Sequence, residues 1–82
     1  LKIFHNGTNS RIDNGTGELQ VNADLFKLKN AASDEVMLVA TADGAIDLYH
    51  NNVKKLETTA SGALVTGTLS INSAYSFPTS VG

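Results

Sequence analysis

The chain has 82 residues, so its length allows at most one small domain. It contains no cysteine, which excludes disulfides, cysteine-ligated zinc and thiol catalysis. Its net charge is −2 and its lysines and arginines are scattered, so we expect neither nucleic acid nor a membrane surface as a partner. A domain of this size buries only a thin core, and we expect other chains to contribute to its stability.

Short strands separated by tight turns are predicted along the chain. Runs rich in Ile, Val, Leu, Thr, Phe and Tyr alternate with pairs such as Asn-Gly and Asp-Gly, which favour hairpin turns. The pattern predicts an all-β fold, a meander of short strands arranged as stacked β-hairpin repeats. The predicted strands are 1–5, 8–13, 18–22, 24–29, 35–41, 45–50, 53–58, 63–66 and 68–72. The predicted turn residues are Asn6, Gly7, Gly17, Asp43, Gly44, Asn51, Asn52 and Gly62, with Gly7 and Gly44 expected at positive φ.

The strand predicted at 35–41 is apolar on both faces. Strand alternation assigns to one face Val36, Leu38 and Ala40, and to the other Met37 and Val39. A strand covered on both sides lies inside a stack of layers, so we expect the second cover to come from another chain. Residues 30–38 also allow a capped helix, because Ser33 precedes acidic residues.

The sequence repeats itself at an offset of 45 residues. Ile3-Phe4-His5-Asn6-Gly7 matches Leu48-Tyr49-His50-Asn51-Asn52, and Gly17-Glu18-Leu19 matches Gly62-Ala63-Leu64, but Ile12 matches Leu56 one residue short of that offset. We divide the chain into a first β repeat at 1–45 and a second, incomplete β repeat at 46–82, both parts of one continuous fibre fragment. A repeat of this length suggests a propeller blade or a stacked fibre, and the missing WD and Gly-His signatures favour the fibre. Both ends look like cuts from a longer protein.

Two histidines and one tyrosine are candidate contacts. His5 and His50 precede the turn in both copies, so three chains around an axis could bring equivalent imidazoles together around a metal ion. The alternative is a polar residue at a strand end, and no ligand spacing supports the metal. The oxygen-rich loop 13–18 could hold calcium, but turn chemistry alone explains it. We predict no cofactor and no metal, and retain Tyr49 as a candidate ligand contact.

No catalytic constellation is visible in the sequence. Asp43 and Asp47 could form a carboxylate pair of the glycosidase type only if they lined a common cleft. No nucleophile–base pair is present. The pair Lys54-Lys55 is interpreted as a solvated strand face that discourages edge pairing. The sequence therefore predicts a protein that is not an enzyme.

Four phrases of the sequence, at residues 1–10, 43–52, 54–69 and 74–79, resemble tail-fibre-like structural proteins of tailed bacteriophages, especially marine and cyanobacterial ones. Residues 1–10, LKIFHNGTNS, resemble their LKIYHDGSNS-type phrase, and residues 43–52, DGAIDLYHNN, resemble DGAVELYYDN. Residues 54–69 are similar to the following KKLETTSTGVTVTGTL, and residues 74–79 to the phrase that opens the next segment. The phrases come in the family's usual order and cover most of the chain, most weakly at residues 20–40.

The resemblance implies a homotrimeric, β-rich fibre on a virion, an intertwined β-prism or β-helix-like structure that carries or forms a host-attachment element. Its partners would be identical chains and other virion tail proteins. The family transfers no catalytic residue to this sequence. Two functions stay open, the shaft of a tail fibre or tail spike, and a receptor-binding module that recognises a host surface glycan. Composition and repetition favour the shaft.

Overall fold

The computed structural model describes residues 1–72, and the fold of this part is all-β, as predicted. Seven strands form two antiparallel sheets, a two-stranded hairpin and a five-stranded meander. The strands are β1 (Lys2–His5), β2 (Ser10–Asp13), β3 (Leu25–Lys29), β4 (Val36–Thr41), β5 (Ile46–His50), β6 (Val53–Thr59) and β7 (Gly62–Val65). Residues 1–72 contain no helix, hence none long and apolar enough to span a membrane.

The meander pairs its strands in chain order, β3-β4-β5-β6-β7, and occupies residues 25–65. This one sheet crosses the 45/46 boundary that the sequence placed between two repeats, and the repeat division stays a prediction. The phrase at residues 74–79 lies outside the described residues. Within residues 1–72, neither strand of the β1–β2 hairpin contacts a strand of the meander.

Two predicted strands are wrong. Residues 18–22 and 68–72 alternate like strands, but neither segment has a strand partner in the described chain. Leu19, Val21, Leu69 and Ile71 are all exposed. A strand needs a neighbour to satisfy its backbone, and the alternation of one segment does not supply one.

The helix considered at residues 30–38 is also wrong, because Asn30 organises a turn there. Its Oδ1 accepts hydrogen bonds from the backbone N–H of Asp34 at 3.1 Å and of Glu35 at 2.9 Å. Ser33 has a φ of 62°, outside the helical region. The chain therefore reverses over 30–35 and enters β4 at Val36.

A β-bulge changes the predicted faces of β4. Leu28 pairs with Leu38, but the next residue, Lys29, pairs with Val36, so β4 has one extra residue. An extra residue reverses the alternation beyond it. Val36 therefore lies on the side of Lys29 and does not share the face of Leu38 and Ala40, which corrects the assignment made from alternation alone.

Positive φ occurs at most predicted turn positions, but not at Gly44. Gly7 has a φ of 95° and Gly17 of 75°, while Asn51 and Asn52 have φ values of 50° and 67°. Two consecutive positive values in a two-residue loop are typical of a type I′ hairpin turn. At the β4–β5 turn the left-handed residue is Asp43, with a φ of 57°, so the prediction for Gly44 was wrong.

The slip in the repeat has a structural cause. The loop of the β1–β2 hairpin covers residues 6–9, whereas the loop of the β5–β6 hairpin is only Asn51-Asn52. The shorter loop reduces the offset by two residues, and a bulge on β6 opposite the Leu48/Tyr49 step adds one back. Ile12 therefore aligns with Leu56 at an offset of 44, one less than the 45 that separates His5 from His50.

Candidate functional site

One face of the meander is almost entirely apolar. The register places a row of aliphatic side chains across all five strands, with a second row beside it. We call this surface the apolar face; it comprises Phe26, Leu28, Leu38, Ala40, Ile46, Leu48, Leu56, Ala63 and Val65, with Thr58 as a polar member opposite Ala63. Successive side chains of a strand point to opposite faces, so these residues share one side. Its rim carries His50, opposite Val53 at the ends of β5 and β6.

The apolar face is open. Leu48 and Leu56, at its centre, are 39% and 36% exposed. Among the described residues no apolar side chain is fully buried. Burying the remaining area would contribute about 1 kcal/mol for each half-exposed leucine or isoleucine. Several such residues together make a contribution comparable with the ~5–15 kcal/mol by which whole domains are stable.

The opposite face is charged and partly closed by its own side chains. We call it the charged face; its middle row is Lys27, Val39, Asp47, Glu57 and Leu64. Lys54 Nζ lies 3.4 Å from Asp47 Oδ2 and 3.7 Å from Glu57 Oε2. Lys54 therefore separates two carboxylates that stand directly opposite each other on β5 and β6, a pairing that would otherwise be repulsive.

Asp47 is the one buried polar residue in the described part of the chain, at 9% exposure. Its Oδ1 is buried with no hydrogen-bond partner within residues 1–72, while Oδ2 has the ammonium group of Lys54. The pKa of Lys54 lies above its ordinary value. Desolvation lowers this pKa, but the charges of Asp47 and Glu57 and a hydrogen bond to Asp47 together raise it by more. The ion pair thus satisfies one carboxylate oxygen of Asp47 and leaves the other without a partner among residues 1–72.

The β1–β2 hairpin also has an aliphatic and a charged side. Ile3 faces Ile12 across the ladder, and the two are 74% and 59% exposed. On the other side the guanidinium carbon of Arg11 lies 5.7 Å from the ring centroid of Phe4. Arg11 also forms an ion pair with Asp13 at 3.3 Å. The hairpin therefore leaves its aliphatic side in solvent.

The histidines end equivalent strands in separate sheets. His5 ends β1, and its Nδ1 accepts a hydrogen bond from the backbone N–H of Gly7 at 3.2 Å. His50 ends β5 and is exposed. No group of three or more metal-ligating side chains lies together within residues 1–72. The structure therefore gives His5 a local contact in the turn and brings neither histidine to a ligand cluster.

Tyr49 and the two aspartates considered for catalysis occupy three different positions in the meander. Tyr49 is half-buried on the charged face, opposite Lys54. Asp43 is exposed in the β4–β5 turn, whereas Asp47 lies in the middle of β5 and binds Lys54. Lys54 is half-buried and ion-paired on an internal strand, whereas Lys55 is exposed, so the interpretation of the pair as a solvated strand face that discourages edge pairing fails for Lys54.

The sequence pattern missed the cluster of Asp47, Lys54 and Glu57. Lys54 reaches Asp47 because the bulge on β6 sets it opposite Tyr49, which lies two residues beyond Asp47 on the same face of β5. The available signal was local: a lysine three residues before a glutamate, on a strand that follows a tight turn. That signal does not give the register between strands.

Comparison with protein-family profiles, with curated proteins and with solved structures found no match to this chain. The function is therefore argued from the two faces of the meander, from the hairpins and from the phrases in the sequence.

Proposed function

We propose that the chain is a non-enzymatic structural segment of a bacteriophage tail fibre or tail spike, part of a homotrimeric shaft on the virion that serves host attachment. The phrases at residues 1–10, 43–52 and 54–69 support the assignment to this class of virion protein. The observation that carries the structural role is the open apolar face, which a single chain leaves in solvent.

Trimeric assembly would give this face its cover. Three copies arranged with their apolar faces toward a common axis would bury Leu48 and Leu56, and would leave the charged face outside, where its ion pairs are already formed. Shared cores supply burial that a small chain lacks. Interwoven chains would also pair the outer edges of β3 and β7, which have no neighbour among the described strands.

A glycan-binding module is the second candidate function, since aromatic side chains commonly stack on sugar rings. Tyr49 is its candidate contact, but it is half-buried and stands opposite Lys54. Phe4 occupies the same place in the other hairpin and has Arg11 over its ring. Phe4 packs against a cation of its own chain, and Tyr49 is half-buried opposite one, which favours the shaft.

Light scattering combined with far-UV circular dichroism tests the shaft. We expect a β-rich spectrum and the mass of three chains at micromolar concentration, with mass and β signal lost together on dilution or heating. The variant Leu38→Asp should lose both, since it places a charge on the apolar face. A cooperatively melting wild-type monomer would contradict the trimer. Binding of host glycans that depended on Tyr49 would favour the second candidate.

A further inference from the structure

The two hairpins of the chain carry similar side chains at corresponding rungs of their ladders, although the charged rung joins opposite charges in the first hairpin and two carboxylates in the second. From the open end to the turn, the rungs are a charged pair, an aliphatic pair, an aromatic residue facing a cation, and a pair that begins with histidine. The matching rungs are Lys2–Asp13 with Asp47–Glu57, Ile3–Ile12 with Leu48–Leu56, Phe4–Arg11 with Tyr49–Lys54, and His5–Ser10 with His50–Val53. The β1–β2 hairpin is thus a second copy of β5–β6.

The neighbours of the two hairpins differ. β5 pairs with β4 on its outer edge, and β6 pairs with β7. In the described part of the chain, β1 and β2 pair only with each other. A two-stranded hairpin is marginally stable at best in water, whereas three or more strands with an apolar face can persist. The β1–β2 hairpin therefore has the side chains of an internal hairpin but no strand beside it within residues 1–72.

We propose that the outer edge of β1 is a docking edge that binds a strand with the β4 sequence from another copy of the 45-residue repeat. This inference deepens the proposed function and rests on it for its place in a fibre, because it names the segment by which successive sheets of a shaft are completed. The occupant is a strand of the β4 sequence whose β5-side edge is free, because β4 of the described sheet is paired on both edges, and it docks in the register that β4 and β5 already use.

That register makes the docked pairs predictable. In the meander Leu38 faces Leu48 and Ala40 faces Ile46. Leu48 and Ile46 correspond to Ile3 and Leu1, 45 residues earlier. In the same register, Leu38 of the docked strand would therefore face Ile3, and Ala40 would face Leu1. Ile3 and Leu1 are 74% and 76% exposed, so each gains an apolar neighbour.

One bond of the meander has no counterpart at the docking edge. Asn52 Oδ1 accepts a hydrogen bond from the backbone N–H of Val36 at 3.1 Å, which ties the β5–β6 turn to the start of β4. The residue that matches Asn52 in the first hairpin is Gly7, which has no side chain. We therefore expect the docked strand to be held less firmly at that end than β4 is beside β5.

A duplication within the full chain tests the proposal. A second copy of residues 21–45 is added directly before Leu1. Its last residue, Ala45, is then followed by Leu1, just as Ala45 is followed by Ile46 in the unmodified chain. Hydrogen exchange is then followed by mass spectrometry on peptides from residues 1–13, which are unique in the fusion. We expect their exchange to slow by about tenfold or more relative to the 82-residue chain, because strand pairing protects amides. Peptides from β5 and β6 serve as the internal reference.

The matched control carries Val39→Pro in the added copy only, because proline cannot occupy a central strand. It should return residues 1–13 to the exchange rate of the unmodified chain while the reference peptides stay unchanged. Exchange that is equal in the fusion and the unmodified chain, or slow in both fusions, would overturn the docking edge.

The mass of the fusion, measured by light scattering, separates this inference from the proposed shaft. Slow exchange in a monomeric fusion supports the docking edge and counts against the trimer. Unchanged exchange in a trimeric fusion overturns the docking edge and leaves the shaft standing.

Discussion

The β1–β2 hairpin and the β5–β6 hairpin have matching rungs but different surroundings. Ile3 and Ile12 are 74% and 59% exposed, whereas their counterparts Leu48 and Leu56 are 39% and 36% exposed. The flanking strands β4 and β7 account for this difference, because the side chains of β4 and β7 stand beside those of β5 and β6 on the same face. Pairing within one sheet thus removes part of the solvent contact.

Leu48 and Leu56 stay more than one third exposed because nothing within residues 1–72 covers the apolar face from above. Neighbouring strands shield a side chain from the sides, but only a second layer covers it from above. The charged face reaches the lowest exposure of the described residues without such a layer, at Asp47, because Lys54 and Glu57 close over it. On the apolar face, no side chain within residues 1–72 is fully buried in this way.

The largest effect is expected from an aspartate in the aliphatic rung of each hairpin. Leu48→Asp places a carboxylate at the centre of the apolar face, where a covered site makes an unpaired charge costly. We expect it to abolish cooperative unfolding and assembly, a loss of roughly 3 kcal/mol or more. Ile3→Asp, its counterpart in the exposed hairpin, should leave the melting of the meander within about 0.5 kcal/mol of the unmodified chain. Equal loss in both variants, measured by circular dichroism melts and light scattering, would contradict the difference in surroundings.

The turns of the two hairpins should also respond differently. Asn52 has a φ of 67° and binds Val36 in β4, whereas Asn6 Oδ1 accepts hydrogen bonds only within its own loop, from Thr8 at 3.0 Å and Asn9 at 2.7 Å. Asn52→Ala should destabilise the meander by about 2 kcal/mol, roughly half from the left-handed backbone and half from the lost hydrogen bond.

Two control variants separate these contributions. Asn52→Gly keeps the backbone conformation and should lose only the hydrogen-bond part. Asn6→Ala should leave the thermal unfolding of the meander unchanged. An effect of Asn6→Ala as large as that of Asn52→Ala would show that the hairpin and the meander unfold as one unit.

Two glycines give a smaller contrast. A Cβ at Gly44 would lie 3.1 Å from Thr41 Cγ2 and 3.2 Å from Thr41 Cβ, while a Cβ at Gly15, just after β2, meets nothing within 4 Å. Gly44→Ala should cost about 1 kcal/mol through this overlap. Gly15→Ala should be neutral or should stabilise slightly, because alanine restricts the unfolded chain. Chemical denaturation of both variants checks the pair, and a neutral Gly44→Ala would mean that Thr41 moves aside freely.

The positions of the strands could be predicted from the sequence, because alternation and turn residues are local signals. Each of the seven observed strands overlaps a predicted one, with ends within two residues. Pairing could not be predicted, because it depends on distant residues: 18–22 and 68–72 have strand-like patterns without partners. The two bulges could not be predicted either, because each is a register shift between two paired strands. One places Val36 on the face of Lys29, and the other brings Lys54 to Asp47.

Residues 14–20 do not form the third strand that β7 forms beside the β5–β6 hairpin, and a few sequence differences explain why. Gly17-Glu18-Leu19 matches the start of β7, but the residues before it are Asn14 and Gly15, where β6 continues through Thr58 and Thr59. Asparagine and glycine disfavour strands, whereas threonine favours them. In addition, Thr58 Oγ1 accepts a hydrogen bond from the backbone N–H of Ile46 at 2.9 Å, which holds β6 to β5 beyond the ladder. β2 therefore ends at Asp13, and no third strand follows it in this part of the chain.

The smallest expected effect concerns pH and the cation of the aromatic rung. Lys54 supplies that cation in the β5–β6 hairpin, and Arg11 supplies it in the β1–β2 hairpin. The pKa of Lys54 is raised above 10.5 by Asp47 and Glu57, so the folded state binds its proton more tightly than the unfolded state. The resulting stabilisation is complete below pH 10.5 and disappears as the pH rises through the folded-state value.

A melting series above pH 10 checks this dependence, with Lys54→Arg as the matched variant. Arginine stays protonated throughout that range, so Lys54→Arg gives the second hairpin the cation of the first and should remove this part of the alkaline loss. The effect should be small, because Lys54 remains partly in contact with solvent and water screens its charge. Identical alkaline melting of both proteins would mean that the charge of Lys54 does not contribute to stability by holding Asp47 and Glu57 together.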